Sequence, residues 1–92
     1  MAPEVFDGGA TLKSDIWSLG ITLIELATCI NPFVNLEDDE IMKRICDQDP
    51  PSLSSSQWSA DFIDFVNNCL IKDVNKRPSA EKLVNVNNMK YV

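Results

Sequence analysis

Histidine is absent from the 92-residue sequence, which excludes every catalytic mechanism or metal site that depends on an imidazole. Basic residues are also scarce, with eight Lys and Arg against 14 Asp and Glu and a net charge of -6 at pH 7. Nucleic-acid surfaces need clustered Lys and Arg to neutralise phosphates, so we expect no nucleic-acid partner. The charge is uneven, because residues 1–70 hold 12 acids against three bases and residues 71–92 hold five bases against two acids. We therefore expect a basic end that lies against an acidic body.

Long hydrophobic runs are absent as well. The longest uncharged stretch in the most apolar part of the chain, residues 16–24, is nine residues long, well short of the roughly 20 that cross a bilayer. The first residues do not resemble a signal peptide. We therefore predict neither a membrane span nor a membrane partner.

Paired cysteines are missing too. Cys29, Cys46 and Cys69 form no CxxC motif, and their odd number and wide spacing are typical of reduced thiols. We predict a cytoplasmic protein without disulfides, in which the cysteines pack as small, buried apolar residues.

The residues that are present predict an all-α chain. The hydrophobic content of 45% and charged content of 24% are typical of one small globular domain. Four segments have helical periodicity, and none shows the sustained alternation of a strand. A domain of this size buries only roughly 60–65% of the surface of its unfolded chain, so its stability depends strongly on how completely its core is covered.

The first predicted helix begins with Ser14 as its N-cap, runs to about Cys29 and is stopped by Pro32. Its apolar residues go round the whole circumference, which is the pattern of a helix buried on all sides. They are Ile16, Trp17, Leu19, Ile21, Leu23, Ile24 and Leu26. Three short helices supply about half of the shell that such a helix needs. We therefore expect that this chain is a piece of something larger or is covered by a partner.

A second helix is predicted at 38–48 as a surface helix with one apolar face. The acidic run at 37–40 precedes and opens it. This run lacks the alternating oxygen ligands and the glycine of an EF-hand loop, and helix N-termini favour acids, so we interpret it as a solvated first turn instead of a cation site.

A third helix is predicted from an N-cap at Ser59 to about Leu70, with Trp58 packed on Ile63 as a hydrophobic staple. A short fourth helix should begin near Ser79 and turn two side chains inward, those of Leu83 and Val84. The predicted architecture is four main helices around one central buried helix.

Four motifs resemble the protein kinase family in its own order and spacing: "MAPE" at 1–4, "SDIWSLG" at 14–20, "NPF" at 31–33 and "CLIKDVNKRPSAEKL" at 69–83. Together they resemble the lower half of the helical C-terminal lobe of a eukaryotic protein kinase. The sequence is most similar to Ser/Thr or dual-specificity kinases of MAP-kinase cascades and their germinal-centre-kinase-like relatives. The resemblance implies that residues 1–92 are one partial kinase domain, from the APE motif to the last helix, with no second domain.

The resemblance assigns structural roles to four residues. Glu4 of the APE motif would form a buried ion pair with Arg77 of "KRP". Asp15 matches a buried aspartate that accepts hydrogen bonds from the catalytic loop, and without that loop it would be a stranded acceptor or a first-turn acid. Trp17 would pack beneath the APE segment, and Gly20 would permit a close approach between backbones.

The resemblance also implies sites of contact. Glu25 lies where some family members contact a basic residue of the substrate, so a weak preference for basic peptides is expected. Thr22 and Leu26 fall where side chains support the adenine ring. The segment 33–48 matches one that docks protein substrates, phosphatases or scaffolds. Cys29 stands where the family usually has a glycine at the end of the central helix.

The motifs of the kinase reaction are absent from residues 1–92. A kinase needs a Gly-rich loop, a lysine for the phosphates, a catalytic-loop aspartate and asparagine, and a DFG aspartate for Mg²⁺. In the family all of these precede the APE motif, so we predict no catalytic, cofactor-binding or metal-binding residues in this chain. ATP and Mg²⁺ would belong to a full-length parent, and the chain alone is expected to be inactive.

Three functions remain open from the sequence. The chain could give scaffold and substrate docking to a Ser/Thr kinase, and its partners would then include the N-lobe and catalytic loop of that parent. It could instead be a non-catalytic module that binds a kinase or scaffold through the helix at 38–48. The third alternative is a small helical protein whose kinase likeness is vestigial.

Overall fold

The computed structural model describes residues 1–83, and none of them lies in a strand. A short 3-10 helix, Pro3–Asp7, is followed by α1 (Leu12–Thr28), α2 (Asp38–Asp47) and α3 (Ala60–Cys69). A further helical turn begins at residue 80. The all-α prediction is confirmed, whereas the body of the predicted fourth helix, including Val84, lies outside the described residues. No helix in the described part of the chain is long and apolar enough to cross a membrane.

The N-cap of α1 is Thr11 and not Ser14, so the prediction of its start is wrong by three residues. Thr11 Oγ1 accepts a hydrogen bond from the backbone N–H of Lys13 at 3.1 Å, and Ser14 Oγ accepts one from the backbone N–H of Thr11 at 3.0 Å. This reciprocal pair satisfies N–H groups that the first turn leaves without partners. Ser14 donates its own hydroxyl proton to Glu4, with Oγ 2.7 Å from Oε2. The helix start is therefore joined to the 3-10 helix.

The C-terminal end of α1 is closed by Cys29 in the left-handed conformation, with φ at 63°. Its backbone N–H donates to the carbonyl of Glu25 at 2.7 Å. A side chain in this conformation costs roughly 1–2 kcal/mol, which glycine would avoid. The left-handed cap therefore forms even though the usual glycine is missing.

The core lies between α1 and α3. A Cβ atom added to Gly20 would lie 2.8 Å from the Cβ of Cys69 and 2.9 Å from side-chain carbons of Leu70, so the two helices approach closely only because this position has no side chain. The largest fully buried side chains of the described residues are Trp17, Val66, Cys69, Leu70 and Arg77. The close approach that the sequence predicted at Gly20 is therefore present.

The prediction that α1 is buried on all sides is wrong for the residues described. One face is dry, and it contains Ile16, Trp17, Gly20 and Ile24. The opposite face carries Leu12, Leu19 and Leu26, spaced seven residues apart, and Leu26 is 73% exposed. The physical reason is that α3 and the 3-10 helix cover one side of α1, and no described element covers the other.

α2 is a surface helix, as expected: its buried residue is Ile45, and its first turn is acidic. α3 begins with Ser59, whose Oγ accepts a hydrogen bond from the backbone N–H of Phe62 at 3.1 Å. The ring of Trp58 lies against that of Phe62, with centroids 5.8 Å apart. The ring contact of Trp58 is therefore with Phe62, whereas the predicted partner was the next residue, Ile63.

The three cysteines are free thiols, but only one is buried. Cys69 lies in the core, where burial raises the pKa of its thiol to about 11 and keeps it protonated. Cys29 and Cys46 are exposed, because they stand at the C-terminal ends of α1 and α2. The prediction that all three are buried is wrong for these two.

Candidate functional site

Glu4 and Arg77, which the resemblance pairs, lie together in a two-pronged ion pair. Arg77 Nη1 is 2.8 Å from Glu4 Oε2, and Arg77 Nη2 is 3.0 Å from Oε1. The guanidinium is fully buried, and the side chain of Glu4 is 12% exposed. Parallel N–H···O bonds of this kind are among the strongest hydrogen bonds in proteins. They close a loop between two residues 73 positions apart.

The remaining donors of Arg77 bind backbone carbonyls. Nε donates to Ile71 at 2.8 Å, Nη1 donates to Lys13 at 2.9 Å and Nη2 donates to Lys72 at 3.4 Å. The guanidinium also lies over the ring of Trp17, 5.3 Å from its centroid, in a cation–π contact. One side chain therefore joins the 3-10 helix, the start of α1 and the loop after α3.

The electrostatics of this centre keep Glu4 ionised. The hydrogen bonds from Arg77 lower the pKa of Glu4 from 4.5 to about 2, although burial acts in the opposite direction. The hydroxyl of Ser14 lowers the pKa further. A carboxylate that holds its charge so firmly is suited to a structural role and not to proton transfer near neutral pH.

Trp17 is fully buried and shares one apolar cluster with Ala2 of the APE motif. Its Nε1–H finds no acceptor within residues 1–83. Trp17 therefore acts here through its apolar surface and its π face. This cluster brings Trp17 together with the APE segment.

Asp15 lies on the exposed face of α1, in the first turn. No hydrogen bond joins its carboxylate to another of the described residues. Without a catalytic loop, Asp15 was expected to be either a stranded acceptor or a first-turn acid. In the structure it is an exposed first-turn acid, which the helix dipole favours. Thr22 and Leu26 are exposed on the same face, so the residues linked to adenine support lie apart from the dry core.

Glu25 has a partner that the sequence analysis did not identify. Asn31 Nδ2 donates to Glu25 Oε2 at 3.1 Å, and Asn31 Oδ1 accepts from the backbone N–H of Phe33 at 2.8 Å. An asparagine before a proline commonly bonds the backbone two residues on, so the "NPF" motif carried the signal for the turn. The contact with Glu25, six positions earlier, depends on how the chain turns after α1 and had no sequence signal.

A surface cavity of about 500 Å³ lies beside this pair. It is formed by the exposed face of α1, the loop after it and α2. Its lining residues are Met1, Ser18, Ile21, Thr22, Glu25, Asn31, Phe33, Val34 and Ile41. The structure thus brings Glu25 together with residues of the predicted docking segment 33–48.

Metal-ligating clusters are not found among the described residues, where no group of three or more His, Cys, Asp or Glu side chains could hold an ion. The acidic run 37–40 is the N-cap and first turn of α2. Such positions are stabilised by the helix dipole without a metal.

Comparison with known proteins identifies the family. The sequence profile described as "Protein kinase domain" matches residues 1–89. The serine/threonine-protein kinase dst3 of Dictyostelium discoideum is 45% identical over 86 residues, which cover 91% of this chain and 15% of that protein. The serine/threonine-protein kinase ppk11 of Schizosaccharomyces pombe is 46% identical over 84 residues, or 90% of this chain and 27% of that protein. Misshapen-like kinase 1 of Rattus norvegicus is 41% identical over 90 residues, or 91% of this chain and 7% of that protein.

This chain belongs to the protein kinase domain family and forms part of a kinase catalytic domain. It spans less than a third of the length of each of these relatives. The match agrees with the order of the four motifs and with the all-α fold.

Proposed function

We propose that this chain is the C-terminal scaffold of a Ser/Thr protein kinase of the MAP-kinase-cascade or germinal-centre-kinase-like group, in which it docks protein substrates. The observation that carries the proposal is the two-sided α1. One face is fixed by the Glu4–Arg77 centre, and the other is open and exposes Leu12, Leu19 and Leu26. Relatives named as a MAP3K epsilon protein kinase and a Misshapen-like kinase support the group. Cys29 and Cys46 are exposed free thiols, and a cytoplasmic location, where thiols are kept reduced, is consistent with them.

The open face of α1 is the place where we propose that catalytic segments of the parent rest. Leu19, Leu26 and Thr22 lie there, and fully burying a leucine contributes roughly 1.5–3 kcal/mol. In the parent, the carboxylate of Asp15 would then accept hydrogen bonds from backbone N–H groups of the catalytic loop instead of from water.

The motifs with which kinases bind ATP and Mg²⁺ are not among the residues of this chain. The Gly-rich loop, the phosphate-binding lysine and the metal-binding aspartate have no counterpart in the sequence. ATP and Mg²⁺ would supply the transferred phosphoryl group and its charge neutralisation in the parent. The described residues do not fit these groups, so the chain's own contribution is to hold and orient the parts that do.

Substrate docking is proposed at the cavity beside Glu25. The wall formed by Ile21, Phe33 and Ile41 is apolar, and the carboxylate of Glu25 stands at its edge, engaged through one oxygen by Asn31. Residues 1–70 carry 12 acids against three bases. This combination suits a peptide with a basic residue next to an apolar one.

The second candidate is a non-catalytic module that binds a kinase or scaffold through 33–48. Exposed apolar side chains in this segment favour it, because Val34 is 55% and Met42 is 42% exposed. The same surface would then serve a stable partner and not a transient substrate.

The experiment compares Glu25→Gln with the control Glu81→Gln in the full-length protein, using a basic peptide substrate and a neutral one. Glu81 is also exposed and lies outside the cavity. We expect Glu25→Gln to raise the KM for the basic peptide about threefold with kcat unchanged, since an exposed ion pair contributes about 0.2–1 kcal/mol.

An unchanged KM would contradict docking at Glu25. A full-length protein without kinase activity, but with a kinase or scaffold bound at 33–48, would favour the interaction module.

A further inference from the structure

Lys72 reaches from the loop after α3 to the C-terminal end of α2. Its Nζ donates to the backbone carbonyl of Cys46 at 2.6 Å and to that of Gln48 at 3.0 Å. These partners lie 26 and 24 positions earlier in the chain. One ammonium group therefore ties together two segments that are distant in sequence.

The backbone beyond α2 supplies only part of its closure. The N–H of Gln48 donates to the carbonyl of Arg44 at 3.3 Å, whereas the carbonyls of Cys46 and Gln48 accept from Lys72. The last carbonyls of any helix lack partners inside the helix, and the backbone N–H groups just beyond its end usually satisfy them. Gln48 is the C-cap, and two prolines, Pro50 and Pro51, follow Asp49. Proline has no N–H, so positions 50 and 51 cannot donate back to the last carbonyls of the helix. The positive charge of Lys72 also suits the negative end of the helix dipole.

The rest of α2 is held lightly. Ile45 is its buried residue, Ile41 is half-buried, and the helix packs on the 3-10 helix of the APE segment. The Lys72 contacts thus attach α2 a second time, at its C-terminal end, whereas the acidic turn lies at its N-terminal end.

The backbone of Lys72 belongs to the Glu4–Arg77 centre. Arg77 Nη2 donates to the Lys72 carbonyl at 3.4 Å, and Arg77 Nε donates to the carbonyl of Ile71 at 2.8 Å. A rigid guanidinium therefore fixes the backbone from which the Lys72 side chain extends. The end of α2 is joined through one residue to the ion pair that closes the fold.

We infer that Lys72 is a positioning residue that holds the C-terminal end of α2 against the Glu4–Arg77 centre. Loss of the ammonium group releases this end of α2 while the core between α1 and α3 stays folded. The consequence for substrate docking rests on the proposed function of α2, whereas the attachment itself does not.

The test is amide hydrogen exchange in the full-length protein carrying Lys72→Met, with Lys72→Arg and Lys76→Met as comparisons. Lys76 lies in the same loop and is exposed, and its side chain makes no hydrogen bond to α2 within residues 1–83. We expect amides 44–48 to exchange about fivefold faster in Lys72→Met, because charge-assisted hydrogen bonds that held this end are lost. Lys72→Arg, whose guanidinium can also donate to two carbonyls, should stay within about twofold of the parent protein, as should Lys76→Met.

Unchanged exchange at 44–48 in Lys72→Met would overturn the inference. A rise of equal size in α1 and α3 would also overturn it, because it would indicate general destabilisation. If Lys72→Met does not fold, Lys72→Gln replaces it, and the same local rise is expected from the lost charge. Amide hydrogen exchange at 44–48 reports the attachment of α2 whether or not the protein phosphorylates substrates. Failure of this inference is therefore distinguishable from failure of the proposed function.

Discussion

Both faces of α1 carry large apolar side chains, but the two faces have opposite environments. On one face Trp17 and Ile24 are buried, and Gly20 allows α3 to approach closely. On the other face Leu19 and Leu26 are exposed. Hydrophobic periodicity therefore reports which residues a helix is able to bury, whereas burial itself depends on which neighbours the chain supplies.

The neighbours of the dry face are held by polar contacts and not only by apolar ones. Arg77 joins three segments around the start of α1, and its partner Glu4 belongs to the 3-10 helix that covers the core. The open face has no comparable anchor in the described residues. Substitutions at the dry face should therefore have larger effects than substitutions at the open face.

The largest effect is expected from Arg77→Ala. This change leaves the Glu4 carboxylate buried without its partner and removes the cation–π contact with Trp17, which together should lower the free energy of unfolding by roughly 3–5 kcal/mol. Urea unfolding measures the change, with the exposed Lys76→Ala as the matched control. A loss below about 1 kcal/mol for Arg77→Ala would mean that the ion pair does not hold the dry face together.

Acid should remove nearly as much stability through Glu4 alone. Because the pKa of Glu4 is lowered from 4.5 to about 2 by Arg77, its ionised form stabilises the fold above pH 4.5. That contribution, about 3 kcal/mol, should be lost progressively as pH falls from 4.5 to 2.

The measurement is the free energy of unfolding as a function of pH for the parent protein and Glu4→Gln. The variant should lose the part of the slope between pH 4.5 and 2 that Glu4 causes. Parallel curves for the two proteins in that window would contradict the assignment.

A smaller effect is expected from Gly20→Ala. The added Cβ would lie 2.8 Å from the Cβ of Cys69, so α1 and α3 must move apart. Overpacking of this kind costs typically about 1–3 kcal/mol, partly offset by the better helix propensity of alanine. Ser18→Ala, on the open face of the same helix, is the control and should change the melting temperature little. Equal melting temperatures for both variants would indicate that the α1–α3 contact is looser than described.

The fold class and the family could be predicted because both rest on local patterns. Helical periodicity gave the all-α class, and the four motifs in register gave the kinase family. The start of α1 was placed three residues too late because Thr11 and Ser14 are both able to cap a helix. Ser14 instead donates to Glu4, ten positions away, and such a contact is decided by the tertiary structure.

The parts of the site that were not predicted are side-chain contacts without a local pattern. The bond from Asn31 to Glu25 depends on how the chain turns after α1, and the bonds from Lys72 to α2 depend on how distant segments pack. The exposure of Cys29 and Cys46 has the same cause, since a residue at a helix end is buried only if another element covers it. The Glu4–Arg77 pair was accessible from the sequence through the APE and "KRP" motifs, which resemblance supplied.

Thiol labelling at position 26 tests most directly whether the open face of α1 is a surface that kinase catalytic segments cover. Leu26→Cys and the buried control Ile24→Cys are each made with Cys29 and Cys46 replaced by Ser, in residues 1–92 alone and in a longer chain that carries the catalytic motifs. We predict that Leu26→Cys reacts freely in residues 1–92 and at least about tenfold more slowly in the longer chain, whereas Ile24→Cys is protected in both. Equal reaction rates of Leu26→Cys in the two chains would contradict the account.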